Sequence, residues 1–233
     1  MKEVFQIAID GPVGAGSSTV ARLVSERLGF LFVDTGAMYR AITLLGMRAG
    51  VDLGDERVLV EIASKASIEM KNPSKNDMDG RLVTVLLDGE DVSWQIRTKE
   101  VSANTPLVAS LPKIREVLVK NQQEIASMQN VVMEGRDITY KVLPSAQLKI
   151  YLTASEHERA NRRYKQLLGK GENVDYKKIL EQIKKRDEMD MNREADPLKI
   201  VEDAWVLDTT DMTIEEVVSQ IFDRVERMRN GSR

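Results

Sequence analysis

The sequence predicts an α/β protein: a parallel sheet of five strands flanked by helices, with a small antiparallel insert and a helical lid. Three observations lead there. Short apolar runs alternate with helical periodicities from the start of the chain. Around residues 67–92 the pattern changes to a polar loop and then Val- and Leu-rich residues closed by the turn Asp88-Gly89. A glycine-rich turn lies between the first apolar run and the first helix.

Taken in order, residues 4–10 form a first strand, residues 17–28 a helix, residues 31–33 a second strand and residues 37–49 a second helix. After the insert, helical stretches at 99–110 and 112–128 bring the chain back. Apolar runs at 131–133, 148–152 and 204–207, each between helical segments, supply three more strands. The expected division is a core of residues 1–66 and 129–233, with a lid at about 160–193, and an insert at 67–128 with its returning helices. Residues 230–233 are the only tail expected to fray.

With 233 residues, 42% hydrophobic and 30% charged, the chain has the length and composition of a folded domain, not of a disordered segment or a disulfide knot. Cysteine is absent and His157 is the single histidine, so thiolate chemistry and multi-histidine metal centres are excluded. Lys+Arg 34 against Asp+Glu 37 gives a net charge of −3, without the global basic field of a nucleic-acid binder. No apolar run is long enough to span a membrane, and Gln6 breaks the only N-terminal one, so a cytoplasmic protein acting as a monomer is expected.

Gly11-Pro12-Val13-Gly14-Ala15-Gly16-Ser17-Ser18 has the G-x-x-x-x-G-x-[ST] skeleton after a strand and opening a helix, the context of a P-loop NTPase core. In such a loop, small residues let backbone N–H groups converge on phosphate, and a hydroxyl, here Ser18, can ligate Mg²⁺. The usual lysine is missing, and Ser17 stands in its place. Alone, the same turn is equally well a simple cap on an amphipathic helix.

Arginines at strand ends and on helix faces tip the balance toward phosphorylated ligands. Gly135-Arg136-Asp137 follows a strand at the carboxyl edge where open α/β sheets bind ligands. Thr35-Gly36-Ala37-Met38-Tyr39-Arg40 sits just past another strand end, with Asp34 able to hold a water on Mg²⁺. In residues 176–193, Ile179 and Ile183 start a helical stripe that continues to Arg186, Asp190 and Arg193. Arg186 and Asp190 also fit a plain surface pair. Arg159, Arg162 and Arg163 precede Gly169-Lys170-Gly171, a candidate lid tip or a solvated basic helix. His157 reads as exposed or capping, and Trp94 and Trp205 as packing residues.

In number, order and spacing these motifs resemble the bacterial cytidylate kinases, the long type of nucleoside-monophosphate kinase. They are IAIDGPVGAG from Ile7, VDTGAMYRA from Val33, IRTKEVS from Ile96, EGRD from Glu134, and the ERANRR and KKRDEMDMNRE helices, covering nearly the whole chain. The resemblance implies transfer of the ATP γ-phosphoryl group to CMP or dCMP with Mg²⁺, and a monophosphate-binding role for the insert. ATP would lie on Gly11, Pro12, Val13, Gly14, Ala15, Gly16, Ser17, Ser18 and Thr19, and the metal on Ser18 and, through water, Asp34. Arg40, Arg136 and Arg193 would hold the acceptor phosphate, Arg186 and Asp190 its sugar, and Arg115 and Asp137 the cytosine. Arg159 and Arg163 would reach the moving phosphoryl group, making Arg159, Arg163, Arg193 and Arg136 the catalytic set.

Three departures from that family follow. Ser17 replaces the loop lysine, Pro106 a serine that bonds the base, and Ile138-Thr139-Tyr140 the commoner Ile/Met-Gly-Thr. Ser17 predicts a slow enzyme unless Lys141 or a lid arginine supplies the missing charge, and Pro106 predicts looser cytosine discrimination. Two alternatives therefore stand beside the kinase: a nucleotide-binding protein with weak or lost catalysis, and a kinase for another monophosphate such as UMP.

Overall fold

The computed structural model describes residues 4–74, 79–169 and 171–231. Residues 1–3, residues 75–78 of the polar loop, Lys170 of the expected lid tip and residues 232–233 of the tail lie outside the described residues. Five parallel strands form the main sheet: β1 (Gln6–Asp10), β2 (Leu31–Asp34), β6 (Val131–Gly135), β7 (Leu148–Thr153) and β8 (Trp205–Asp208), in the order β2-β6-β1-β7-β8. β1 sits at the centre, with Ile7 opposite both Val132 and Leu148. Ile7, Ala8 and Ile9 are fully buried, which is why this strand reads as a continuous apolar run: both faces of the sheet are covered.

Helices α1 (Ser17–Leu28) and α2 (Thr35–Arg48) follow β1 and β2 directly. The Asp34 carboxylate accepts from Ala37 N–H at 2.9 Å and caps α2. A short α3 (Glu56–Ala63), capped by Asp55, was not anticipated; its eight residues bury only Leu59 and Ala63, too few to set a helical period apart from its polar surroundings.

The insert is antiparallel as expected. β3 (Ile68–Lys71), β4 (Thr84–Leu87) and β5 (Glu90–Asp91) lie in that order, and Asp88 and Gly89, with φ of 51° and 82°, make the two-residue turn that matches strand twist. The Asn72 side chain ties the insert to β2, accepting from Phe32 N–H and donating to the Phe30 carbonyl at 2.9 and 2.7 Å. α4 (Lys99–Ser110), capped by Thr98, and α5 (Pro112–Met128), opened by proline, occupy the expected positions. Trp94 corrects an expectation: it is half exposed rather than packed, and its indole N–H donates to Asp79 at 2.7 Å. Trp205 does pack against the core, with Arg224 over its ring.

α6 (Glu156–Leu168) and α7 (Tyr176–Asn192) pair with each other over a small cluster of their own, Ala160, Ile179 and Ile183, distinct from the main core. α8 (Ile214–Gly231) closes the chain against α1, burying Val217, Val218, Ile221 and Val225.

At the end of β1, Asp10 is fully buried. It accepts from Ile138 N–H at 2.9 Å and from Thr139 N–H and Oγ1 at 2.8 and 2.6 Å. These bonds pin a π-helical turn, Ile138–Val142, to the strand that carries the glycine-rich loop. Burial pushes the Asp10 carboxyl from its ordinary 3.8 up to about 6, against the pull of those hydrogen bonds. The folded protein thus holds this proton more tightly than the unfolded chain. The associated stability is present below the ordinary value and is lost as the pH rises to about 6. The stability of wild type relative to Asp10→Asn is expected to fall by about 2 kcal/mol between pH 4 and pH 6 in urea unfolding. A pH-independent difference would show that Asp10 titrates normally.

Candidate active site

The loop from Gly11 to Ser18 bends where side chains have no room or no permitted backbone. A Cβ on Gly11 would stand 2.1 Å from the Leu152 carbonyl oxygen. Gly14 and Gly16 take φ of 81° and 94°, and Gly16 starts α1 with no side-chain cap, so the first N–H groups of that helix are left for a ligand. The Ser17 hydroxyl is buried without a hydrogen-bond partner among the described residues, whereas Ser18 donates to Glu134 at 2.7 Å.

On one side of the loop lies a polar cavity of about 360 Å³. Val13 and Ser18 of the loop line it, as does Asp34, and so do all seven expected acceptor residues: Arg40, Arg115, Arg136, Asp137, Arg186, Asp190 and Arg193. These come from α2, α5, the end of β6 and α7 with the residue that follows it. Arg136 Nε donates to Asp190 at 2.8 Å, and Arg186 stands 3.3 Å from the other oxygen of the same carboxylate. Arg115 is ion-paired to Asp137. Arg193 Nε donates to the Asp196 carbonyl at 2.7 Å.

Arg40 is different. Its guanidinium donates to Ser102 Oγ at 2.7 Å and to the Ile96 carbonyl at 3.3 Å, and no carboxylate among the described residues pairs with it. Burial lowers its pKa; Asp34 pulls the other way, and Arg97 and Arg186 add repulsion. Arg193 is lowered likewise, first by burial and then by Arg115. Partly buried guanidiniums that repel one another hold the positive potential that an anion would neutralise.

On the other side lies a mainly apolar cavity of about 350 Å³. Gly14, Ala15, Gly16 and Thr19 of the loop form one wall, and Arg163 another. Gly11, Pro12, Ser17 and Arg159 line neither cavity. Arg159 is buried and braces the loop to the lid: Nε donates to the Ala154 carbonyl at 2.9 Å, Nη1 to the Val13 carbonyl at 3.0 Å, and Nη1 lies 2.7 Å from Asp187. The inward stripe of α7 runs Ile179, Ile183, Asp187 and Asp190 rather than through Arg186. Lys141 pairs with Asp196 at 3.4 Å and lines neither cavity, which removes it as a stand-in for the loop lysine. His157 is exposed, its ring 3.2 Å from the Tyr176 hydroxyl.

Several lining residues escaped sequence reasoning. Tyr39, Arg97 and Thr105 face the polar cavity, and Gln166, Thr209, Met212 and Ile214 the apolar one. Arg162 lines the apolar cavity too, with its guanidinium donating to Thr209 Oγ1 and carbonyl at 3.0 and 2.5 Å. Arg97 carried a usable signal, because it sits in the IRTKEVS motif. The Thr209–Ile214 segment had none beyond its place after the last strand.

A backbone phosphate cradle between two cavities, one apolar and one lined with arginines, on a five-stranded parallel sheet defines a P-loop nucleotide-binding protein of the small-kinase type. The family model for cytidylate kinase matches residues 7–227. The cytidylate kinase of Caldanaerobacter subterraneus subsp. tengcongensis is 50% identical over 97% of this chain and 96% of its own length. That of Caldicellulosiruptor bescii is 47% identical over 96% of both chains. A solved structure of an uncharacterised Eubacterium ventriosum protein, 12% identical, aligns over 95% of this chain and 98% of that one with a TM-score of 0.53, a likeness of fold alone. The chain belongs to the cytidylate kinase family.

Proposed function

We propose that this chain is an ATP-dependent cytidylate kinase that transfers the γ-phosphoryl group of ATP to CMP or dCMP, giving ADP and CDP or dCDP. The observation that carries the reading is the polar cavity beside Ser18, where Arg40 has no carboxylate partner among the described residues and its pKa is depressed by burial, with its arginine neighbours adding to the effect. The acceptor phosphate neutralises Arg40, Arg136 and Arg193. Arg186 and Asp190 take the sugar, and Arg115 and Asp137 the cytosine, whose N4 amine needs the carboxylate acceptor that Asp137 offers.

ATP lies across the loop from Gly11 to Thr19, with its base in the apolar cavity between Arg162 and Met212. Arg163, on the wall of that cavity, has Gln166 as its side-chain partner at 2.6 Å and can swing toward the transferring group. Arg159 acts from beneath the loop, holding the Val13 carbonyl and Asp187 together. The oxygen donors here suit Mg²⁺, a hard cation that keeps waters and phosphate oxygens rather than a full protein cage. No group of three or more His, Cys, Asp or Glu forms such a cage among the described residues. Ser18 would ligate the ion directly and Asp34 through water, and the ion would screen the phosphate charge. We place the enzyme in the cytoplasm as a monomer. The core of residues 1–66 and 129–233, the lid at 160–193 and the insert at 67–128 would move as separate bodies around the two nucleotides.

A coupled ADP-release assay with CMP, dCMP, UMP and AMP tests the reading: CMP and dCMP turn over above the others. The buried, partnerless Ser17 hydroxyl favours one other reading, a nucleotide binder with weak catalysis. ATP and CMP binding without CDP above background would establish that one instead.

Pro106 lies inside α4, with Thr105 and Ala109 on the cavity side of it. The Thr105 hydroxyl donates its proton to the Val101 carbonyl at 2.7 Å, so it has no donor left for the base. Pro106→Ser is expected to raise the CMP-over-UMP ratio of kcat/KM about tenfold, the worth of one added hydrogen bond. An unchanged ratio would show that this position does not reach the base.

A further inference from the structure

Asp196 occupies a junction that the proposed roles leave unused. It follows α7 in the segment that returns to the core, with φ of 49°, a left-handed conformation that non-glycine residues seldom adopt and aspartate tolerates best with asparagine. Its main-chain carbonyl accepts from Arg193 Nε at 2.7 Å and also from Nη2. Its carboxylate accepts from Arg115 Nε at 3.0 Å and stands 3.4 Å from Lys141 Nζ. The segment is fastened from beyond as well: the Tyr140 hydroxyl donates to the Pro197 carbonyl at 2.6 Å, and Lys199 Nζ lies 4.0 Å over the Tyr140 ring.

We propose that Asp196 is a positioning residue that sets base specificity by sharing the charge of Arg115 with Asp137. The inference rests on the cytidylate kinase reading. The Arg115 side chain is 3% exposed, and its guanidinium lies between two carboxylates, Asp196 on Nε and Asp137 on Nη2. Held by Nε on Asp196 and by Nη1 on the Ala109 carbonyl at 3.2 Å, the guanidinium presents Nη2 to Asp137. With two counter-ions present, Asp137 keeps oxygen lone pairs for the cytosine N4 amine. Without Asp196, the whole charge of Arg115 falls on Asp137, whose oxygens close on the guanidinium and no longer select an amine over the carbonyl that uracil presents.

Asp196→Asn keeps the size, the backbone tolerance and the carbonyl that holds Arg193, and removes only the charge. The expected result is a KM for CMP raised about tenfold and a CMP-over-UMP ratio of kcat/KM lowered by a similar factor. The KM for ATP and the kcat at saturating CMP stay within about twofold. Asp196→Glu, which restores a carboxylate, should recover much of the ratio. Should Asp196→Asn fold poorly, Asp196→Gly fits the same φ and carries the same expectation. A lower melting temperature and a lower kcat with both acceptors, at an unmoved CMP-over-UMP ratio, would overturn the proposal and leave Asp196 a structural residue. If the wild-type protein makes no CDP, the kinase reading fails instead. The ratio of CMP to UMP affinity in wild type and Asp196→Asn, measured by titration calorimetry, then decides the role of Asp196 without any turnover.

Discussion

Ser17→Lys is expected to raise turnover by about two to three powers of ten, the usual worth of one donor aimed at the charge that develops in transfer. The loop is already shaped for it. Gly11, Gly14 and Gly16 provide the bend, α1 presents its N-terminus, and Ser18 stands beside Glu134. What is missing is a cation beneath the β- and γ-phosphates. Ser17 puts there only a buried hydroxyl without a partner among the described residues. The neighbouring cations are committed elsewhere: Arg159 to Asp187, Arg162 to Glu158 and Thr209, Arg136 to Asp190 and Lys141 to Asp196. A coupled ADP-release assay of wild type and Ser17→Lys measures the gain. No gain would mean that another group already supplies the charge. Arg163 is then the group to remove, because among the described residues its side chain bonds only Gln166, and it lines the cavity beside Gly16.

Arg136→Ala is expected to lower kcat/KM for CMP by about three powers of ten while leaving ATP affinity nearly unchanged. Arg136 stands at the carboxyl end of β6, with its Nε on Asp190, so a single guanidinium links the sheet to the lid helix and lines the polar cavity proposed for the acceptor. Its removal strips the acceptor phosphate of a planar donor and leaves Asp190, with a side chain 7% exposed, to Arg186 alone. Arg136→Lys keeps the charge without the fork and should recover only part of the loss. Equal activity for Arg136→Ala and wild type would remove Arg136 from the acceptor site.

The phosphate loop and the strands were legible because each is local: a glycine skeleton, or an apolar run bounded by turns. β1 and β8 begin at Gln6 and Trp205, within two residues of expectation, and strand ends are set by pairing partners that the sequence does not display. All seven residues expected to hold the acceptor were named from motifs, and one cavity brings them together. The rest depended on contacts between distant segments. Asp187 reaches Arg159 across the lid and Asp196 reaches Arg115 over 81 positions, so neither carries a local mark of its partner. Trp94 was misread because an aromatic residue is assigned to the core by habit, and the insert is too small to enclose it.

The carboxylates of Asp190 and Asp137 sit on Arg136 and Arg115, the guanidiniums proposed for the acceptor phosphate and the base. On Arg136 the carboxylate is an internal surrogate for the acceptor anion. On the proposed reading, acceptor binding at Arg136 is an exchange of one anionic partner for another, and part of the attraction offered to the phosphate is cancelled by the bond it must displace. Asp190 returns to Arg136 as the product departs, countering a tendency to retain a diphosphate too tightly for the next cycle.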